Sequence, residues 1–486
     1  MSHILPGDRE AYPEEPPESP WRSRLPHHRD HTKSPLKRIT TFASILLLCV
    51  PLLLLFRHLH GSADSDIAAT EDYLASRPAT HHRIPAVPTS VPVSATVEIE
   101  YGPEDVDADD EESAILVEPL PVVPPHPMTF SLIMFSSDSA SEGALLIKSI
   151  IMYTSAPVHF HIICDEGARE YLEGRLALVT RPRHNIFVRF YLLSHEEMMA
   201  RIEREGAITT DHSAGVPGLM KLFIHEILPD TVKRAIFLDT DAFFISDPIL
   251  LWNRFDDFTE EAAVSMPTHF DQSSTEWHDA NRICSCVMLL DLEKLRKLRL
   301  MDSILYHEND PHGTPALSPP AFRDMFGPPG GSGHYEGVKL GDQGYWWAIV
   351  KHNPKVLQHL HFDYEVSSCL LNMYGAVLGD DGANEEEAKK NQVHVVETVH
   401  EGDLILPKVL HFNCLDGTPR FFEWEGWSDP THWLTRSWGP AVFYHVGVKW
   451  LWLNQGLKDV SSVVVESARH IVFADERYGH DMESDG

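Results

Sequence analysis

The sequence predicts an α/β domain built on a mostly parallel sheet and preceded by one transmembrane helix. Three observations predict it. Short apolar runs alternate with segments of helical period, two carboxylates stand directly after one of those runs, and an uninterrupted apolar stretch without charge lies near the N-terminus.

The apolar stretch runs from Ile39 to Phe56 (ITTFASILLLCVPLLLLF). At about 1.5 Å per residue in a helix, it is just long enough to span a bilayer. Arg22, Arg24, Arg29, Lys33, Lys37 and Arg38 precede it, whereas only Arg57 follows directly. Positive charge stays on the cytosolic side, so residues 1–38 are expected in the cytosol and the bulk of the chain on the other side. So short a span suits the thin membranes of the early secretory pathway. The expectation is a single-pass type II protein of the Golgi or endoplasmic reticulum, anchored through residues 39–56.

Residues 57–127 carry many Pro, Ser, Thr, Asp and Glu and no sustained period, which reads as a flexible stem. Its acidic run includes Glu104, Asp105, Asp107, Asp109, Asp110, Glu111 and Glu112. The net charge of −32 argues against nucleic acid as a partner. Of the six cysteines, Cys49 lies in the apolar stretch, and the other five are an odd number, so at least one is free or paired outside the chain. No CxxC pair and no Asn-x-Ser/Thr acceptor occurs.

Order is expected from Met128. Phe130–Phe135 and Val158–Cys164 read as buried strands, as do Asn185–Leu193 and Ala235–Leu238. Between them, Gly143–Tyr153, Glu166–Leu176 and Pro217–Leu228 have helical character. Ser194 opens a further helix, with Glu197 three residues on completing a capping box. Strand–helix alternation implies parallel strands covered by helices on both faces, with ligands held beyond the strand C-terminal ends.

Asp239-Thr240-Asp241 leaves the apolar strand AIFL at such an end. Residues i and i+2 of an extended segment project to one side, so the two carboxylates can share a divalent cation, and that cation can bridge a diphosphate. Transfer of a sugar from a nucleotide needs this arrangement, because the leaving group is a nucleoside diphosphate whose developing charge must be neutralised. A bare DxD is more often a polar turn. Here the preceding strand and the following FFISDP favour the metal.

The stretch Gly215–Trp252 (GVPGLMKLFIHEILPDTVKRAIFLDTDAFFISDPILLW) resembles glycosyltransferase family 8, and within it the xylosyltransferase domain of LARGE-type enzymes. Later landmarks keep the family's order: Ser285–Leu300, Leu340–Val350 with Asp342-Gln343, and Lys408–Asn413 with His411. The likeness covers roughly residues 128–417. It implies a catalytic domain over residues 128–420 with a GT-A-type (Rossmann-like) nucleotide-sugar-binding fold, a UDP-sugar donor, Mn²⁺, and retention of anomeric configuration. UDP-xylose is the favoured donor, and the acceptor would be a glycan or glycoprotein. Residue by residue, Asp239, Asp241 and His411 match the metal ligands. Lys221 matches a basic residue facing the donor. Asp342 and Gln343 match the catalytic side, between donor sugar and acceptor. Asp138, just past the first strand, falls near the uridine.

Three positions depart from the family. Cys284-Ser285-Cys286 stands where Asn-Ser-Gly or Asn-Thr-Gly is usual, Asp342-Gln343-Gly344 stands for Asp-Gln-Asp, and Gly417 stands where a phosphate-binding lysine is usual, with Arg420 as its nearest substitute. They support an alternative, a lumenal binding protein that keeps the fold with weak catalysis. Residues 308–339 (with PHGTP and GPPGGSG) read as a loop-like insertion, and residues 379–391 as a charged surface loop. The tryptophans Trp424, Trp427, Trp433 and Trp438 read as core more readily than as a sugar platform. Residues 421–486 are expected to form a helical extension and tail.

Overall fold

The computed structural model describes residues 126–268, 278–368, 399–403, 405–413, 415 and 420–478. The expected cytosolic tail and membrane anchor, the stem up to residue 125 and the 379–391 loop lie outside these residues. Among the described residues, no helix is long and apolar enough to cross a membrane.

Strands β1 (Met128–Met134), β2 (Val158–Cys164), β3 (Ile186–Leu192) and β4 (Arg234–Leu238) form where the apolar runs predict them. They are joined by helices α1 (Ser137–Tyr153), α2 (Glu166–Leu176) and α3 (His195–Glu205). Each helix starts on a side-chain cap that satisfies otherwise orphaned N–H groups. Asp165 accepts from Ala168 N at the head of α2, and Ser194 and Glu197 exchange the reciprocal bonds of a capping box at α3. The expected helix from Pro217 is broken in three: α4 (Gly215–Leu219), a 3₁₀ turn (Met220–Phe223) and one further turn (Ile224–Ile227).

The main sheet has eight strands in the order β11-β3-β2-β1-β4-β7-β6-β8, where β6 is Val264–Pro267, β7 Val287–Asp291, β8 Leu357–Leu360 and β11 Val463–Ala468. Only β7 runs antiparallel to its neighbours. A smaller sheet of β5 (Ala242–Phe244), β10 (Val409–His411) and β9 (Val366–Ser367) lies beside it. Period-2 alternation divides the core between the two faces of the main sheet. Phe130, Leu132, Ile236, Leu238 and Leu289 pack on one face with α1 and α2, whereas Phe237, Met288 and Leu290 pack on the other. Each such side chain contributes about 1.5–3 kcal/mol by leaving water.

Two expectations change. Residues 421–486 hold the expected helix (Trp433–Gly447), but they also supply β11, which adds in parallel to β3 from Val463 beside Ile186. The run Val463-Val464-Val465 is β-branched and suited to an edge strand. The tail is therefore part of the sheet and not only an extension. Residues 308–339 are not an unstructured insertion either. They include the helix Ser318–Phe326, whose Phe322 packs edge-on to Tyr335 and Tyr345 at 5.6 and 4.9 Å. Trp427 and Trp438 are buried with Phe412 and Phe421 in a third cluster, the core reading of those tryptophans.

Candidate active site

The Asp239-Thr240-Asp241 turn sits where the chain passes from one sheet to the other. β4 belongs to the large sheet and β5, three residues on, to the small one. Both sides hold the turn: Asp239 N donates to Cys286 O (2.8 Å) after the cavity-side end of β4, and Phe412 N donates to Asp241 O (2.9 Å) from the end of β10. His411 ends β10 opposite Ala242, so antiparallel pairing carries its imidazole to the carboxylates. Its Nε2 lies 3.4 Å from Asp241 Oδ1. One ligand atom from each of Asp239, Asp241 and His411 falls within 4.8 Å of the others. Two carboxylates and an imidazole suit Mn²⁺ better than Mg²⁺, which prefers oxygen alone.

Glu365, at the head of β9, completes this group. It is fully buried, and its Oε1 lies 3.2 Å from His411 Nδ1. A carboxylate on the far nitrogen fixes the ring and aims Nε2 at a metal. Burial opposes a proton on His411, but Asp241 and Glu365 outweigh it and push its pKa up to about 10. A metal at Nε2 therefore displaces that proton. Loss of water raises the Asp239 carboxyl against the pull of Lys221. It acts on Asp241 as well, but His411 holds that carboxyl below its usual range.

Lys221, on the 3₁₀ turn, is 9% exposed. Its Nζ lies 2.8 Å from Asp239 Oδ1, 3.4 Å from Asp342 Oδ1 and 5.0 Å from the centre of the Phe237 ring. It ties two candidate residues together as well as lining the cavity. Asp342 is the first residue of the helix Asp342–His352 and is 5% exposed. Its Oδ2 is buried with no hydrogen-bond partner. Gly341 turns the chain into this helix at φ +60, where a Cβ would press on His212 at 3.1 Å. Gln343 is spent on the backbone: Nε2 donates to Ala280 O (2.9 Å) and Oε1 accepts from Ser285 N (3.4 Å).

These residues open on a cavity of about 930 Å³. Lys221, Asp239, Asp241, Asp342, Gln343 and His411 all line it, whereas Asp138 does not. Asp138 points outward, 3.6 Å from Arg420, because the cavity-facing positions of that helix are Ser139 and Glu142. The uridine contact expected of Asp138 would have to be made from outside this lining. Arg420 reaches Glu423 (2.8 Å, Nε to Oε2) and lies outside the cavity lining. Gly417 falls outside the described residues.

Sequence reasoning missed Glu142 and Glu365. Burial first, and the charge of Asp241 second, push the Glu142 carboxyl up to about 8. Cys284 and Cys286 line the cavity as a disulfide with each other, and Cys164 is free and buried.

The combination of a strand-end carboxylate pair with a histidine from a second sheet is the arrangement that the sequence resemblance led one to expect, and comparison points to sugar transferases. No family model matches the chain. Over 144 residues, 30% of this chain, it is 34% identical to the xylosyl- and glucuronyltransferase LARGE2 of Mus musculus, covering 19% of that protein. It is 29% identical over 195 residues to LARGE1 of Danio rerio, covering 37% of this chain and 24% of that one. The chain thus spans at most about a quarter of the length of these curated relatives. Among solved structures, mouse xyloside xylosyltransferase 1 superposes with a TM-score of 0.41 at 17% identity, over 60% of this chain and all of that one. The galactosyltransferase LgtC, bound to donor and acceptor sugar analogs, gives 0.39 at 12% identity, over 65% and 95%.

Proposed function

We propose that this chain is a retaining, Mn²⁺-dependent glycosyltransferase that moves a sugar from a UDP-sugar, xylose first, to a glycan or glycoprotein acceptor in the secretory pathway. The observation that carries this reading is the convergence of Asp239, Asp241 and His411 ligand atoms within 4.8 Å, with Glu365 behind the histidine. The buried Glu365 supports ligation by His411, because a carboxylate on the outer nitrogen serves a metal-binding imidazole. The xylose preference rests on the LARGE-type relatives, whose printed activities are xylosyl and glucuronyl transfer.

Asp239, Asp241 and His411 would hold the cation, which when bound neutralises charge on the departing diphosphate. The cavity of about 930 Å³ is of a size to admit a nucleotide sugar. Asp342 lines the cavity beside Lys221 and would place its carboxylate near an anomeric centre gaining positive charge. Gly344, where the family has its second Asp, supplies no nucleophile. A front-face substitution, with leaving and attacking groups on one side, therefore fits better than a covalent intermediate. Gln343 holds the Ala280 and Ser285 backbone and positions the wall of the site.

The test is UDP release from UDP-xylose, UDP-glucose and UDP-galactose by the purified chain, with and without Mn²⁺. Metal-dependent release that Asp241→Asn abolishes is the expected result. No release from any donor, or release indifferent to metal, rejects the reading. Preference for a hexose rejects only the choice of xylose.

A further inference from the structure

A second set of metal-ligand side chains lies apart from the active-site residues. His361 and Asp363 belong to the segment between β8 and β9, and His400 and Asp403 to the turn 399–403. His361 Nε2 is 3.6 Å from Asp403 Oδ2, and His400 Nδ1 is 3.3 Å from the same oxygen. The two imidazole rings stand 4.8 Å apart, nearly perpendicular at 71°. One ligand atom from each of His361, His400 and Asp403 falls within 4.8 Å of the others. A tetrahedral zinc with nitrogen and oxygen ligands at about 2.0–2.1 Å sets neighbouring ligand atoms about 3.3 Å apart. The two separations to Asp403 Oδ2 lie within a few tenths of an ångström of that spacing, and the two imidazole ligand atoms lie within 4.8 Å of each other.

We propose that His361, His400 and Asp403 bind one Zn²⁺, separate from the catalytic cation. Two imidazoles and one carboxylate select zinc over manganese, which stands lowest in affinity among the divalent first-row metals. The surroundings fit ligation. His361 Nδ1 lies 3.0 Å from Asp363 Oδ1 and 3.2 Å from Asp363 N. In the metal-free protein Nδ1 accepts from Asp363 N; metal at Nε2 requires the other tautomer, which exchanges that bond for one from Nδ1–H to the Asp363 carboxylate, the usual outer partner of a zinc-bound histidine. Asp363 is itself fixed, because it accepts from Leu406 N (2.7 Å) and from the Lys408 ammonium. Asp403 is 54% exposed, which leaves the fourth position to water.

The ion would fasten the 399–403 turn to the segment that ends in Glu365, four residues after His361. Its role is to hold the chain behind the active-site histidine, and it takes no part in the transfer.

Full-length protein is stripped with a chelator, equilibrated with Zn²⁺ in excess Mn²⁺ and desalted, and its metal is counted by elemental mass spectrometry. One zinc per chain is expected for the wild type and for Asp241→Asn. His361→Ala should retain none. Asp403→Asn, altered at an exposed carboxylate that folding does not need, should bind zinc at least tenfold more weakly with an unchanged circular dichroism spectrum. Co²⁺ in place of zinc should give the intense visible bands of a four-coordinate site in wild type and Asp241→Asn, and not in His361→Ala. Wild-type protein that keeps no zinc overturns the proposal. So does His361→Ala or Asp403→Asn binding zinc as wild type does, or zinc that disappears only with Asp241→Asn.

Discussion

Glu365 Oε1 faces His411 Nδ1 at 3.2 Å, and neither side chain is more than 4% exposed. The pair joins β9 to β10 across the small sheet, in which Ser367 lies beside His411 in parallel register. Glu365→Gln keeps the shape but replaces the negative charge with an amide that can present either end to the ring. The orientation of the imidazole is then no longer enforced. We expect Mn²⁺ affinity to fall about 10–100-fold, with the fold intact. Titration of Mn²⁺ against the proton relaxation of water reads it directly, and unchanged affinity would remove Glu365 from the site.

Lys221 lies between Asp239 and Asp342, so its loss leaves two carboxylates facing each other without a cation. Removing one partner of a buried ionic group costs about 3–5 kcal/mol. Lys221→Met should destabilise the metal-free protein by about 3 kcal/mol, and Mn²⁺ should recover part of that by supplying the missing positive charge beside Asp239. Urea unfolding with chelator and with Mn²⁺ measures both. Equal losses in the two conditions would show that the cation does not reach this carboxylate.

Glu142 gives a pH dependence whose sign is fixed. Its carboxyl titrates at about 8 in the folded metal-free protein, against an ordinary value of 4.5, because burial and Asp241 both disfavour its charge. Below about pH 4.5 both folded and unfolded chains hold the proton. Between there and about pH 8 only the folded chain holds it, so stability falls as pH rises through that window. Glu142→Gln abolishes this slope and should make the protein about 1–3 kcal/mol more stable than wild type near pH 8. Denaturation in chelator near pH 5 and near pH 8 checks it; parallel slopes for both proteins would contradict it.

Much of the framework is legible in the residues because it is local. β1 to β4 are uninterrupted apolar runs, the Ser194 and Glu197 capping box is a pattern four residues long, and the carboxylate pair stands directly at a strand end. What escapes is assembled from a distance. Glu365 meets His411 across 46 residues, and Glu142 points into the cavity from an unremarkable helical position. β9 and β10 have two and three residues, too few to show any period. β11 is different, because its three successive valines were a signal in plain view. Closeness to a strand end also does not give direction: one turn of helix decides that Ser139 and Glu142, and not Asp138, line the cavity.

The helix that begins at Asp342 supplies the last prediction. Gln343 uses both ends of its amide on backbone, at Ala280 O and Ser285 N, and so holds the Cys284–Cys286 turn against the helix. Gln343→Ala removes both bonds and loosens the wall beside the donor sugar without taking away an acid, a base or a nucleophile. Transfer should slow about 10–100-fold, the scale of a small misplacement of bound reactants, and retain the wild-type pH profile. Gly344 cannot compensate. A Cβ there would fall on the Lys339 carbonyl, with Val338 Cγ1 at 3.1 Å, so Gly344→Asp should strain the helix start and lower stability without raising the rate. If transfer instead proceeded through a covalent sugar, Asp342 would have to carry it. Mass spectrometry after reaction with a slow donor analogue should find Asp342 unmodified. A sugar adduct on Asp342, or a Gln343→Ala protein with no activity at all, would give the catalytic role to these side chains and not to the geometry they maintain.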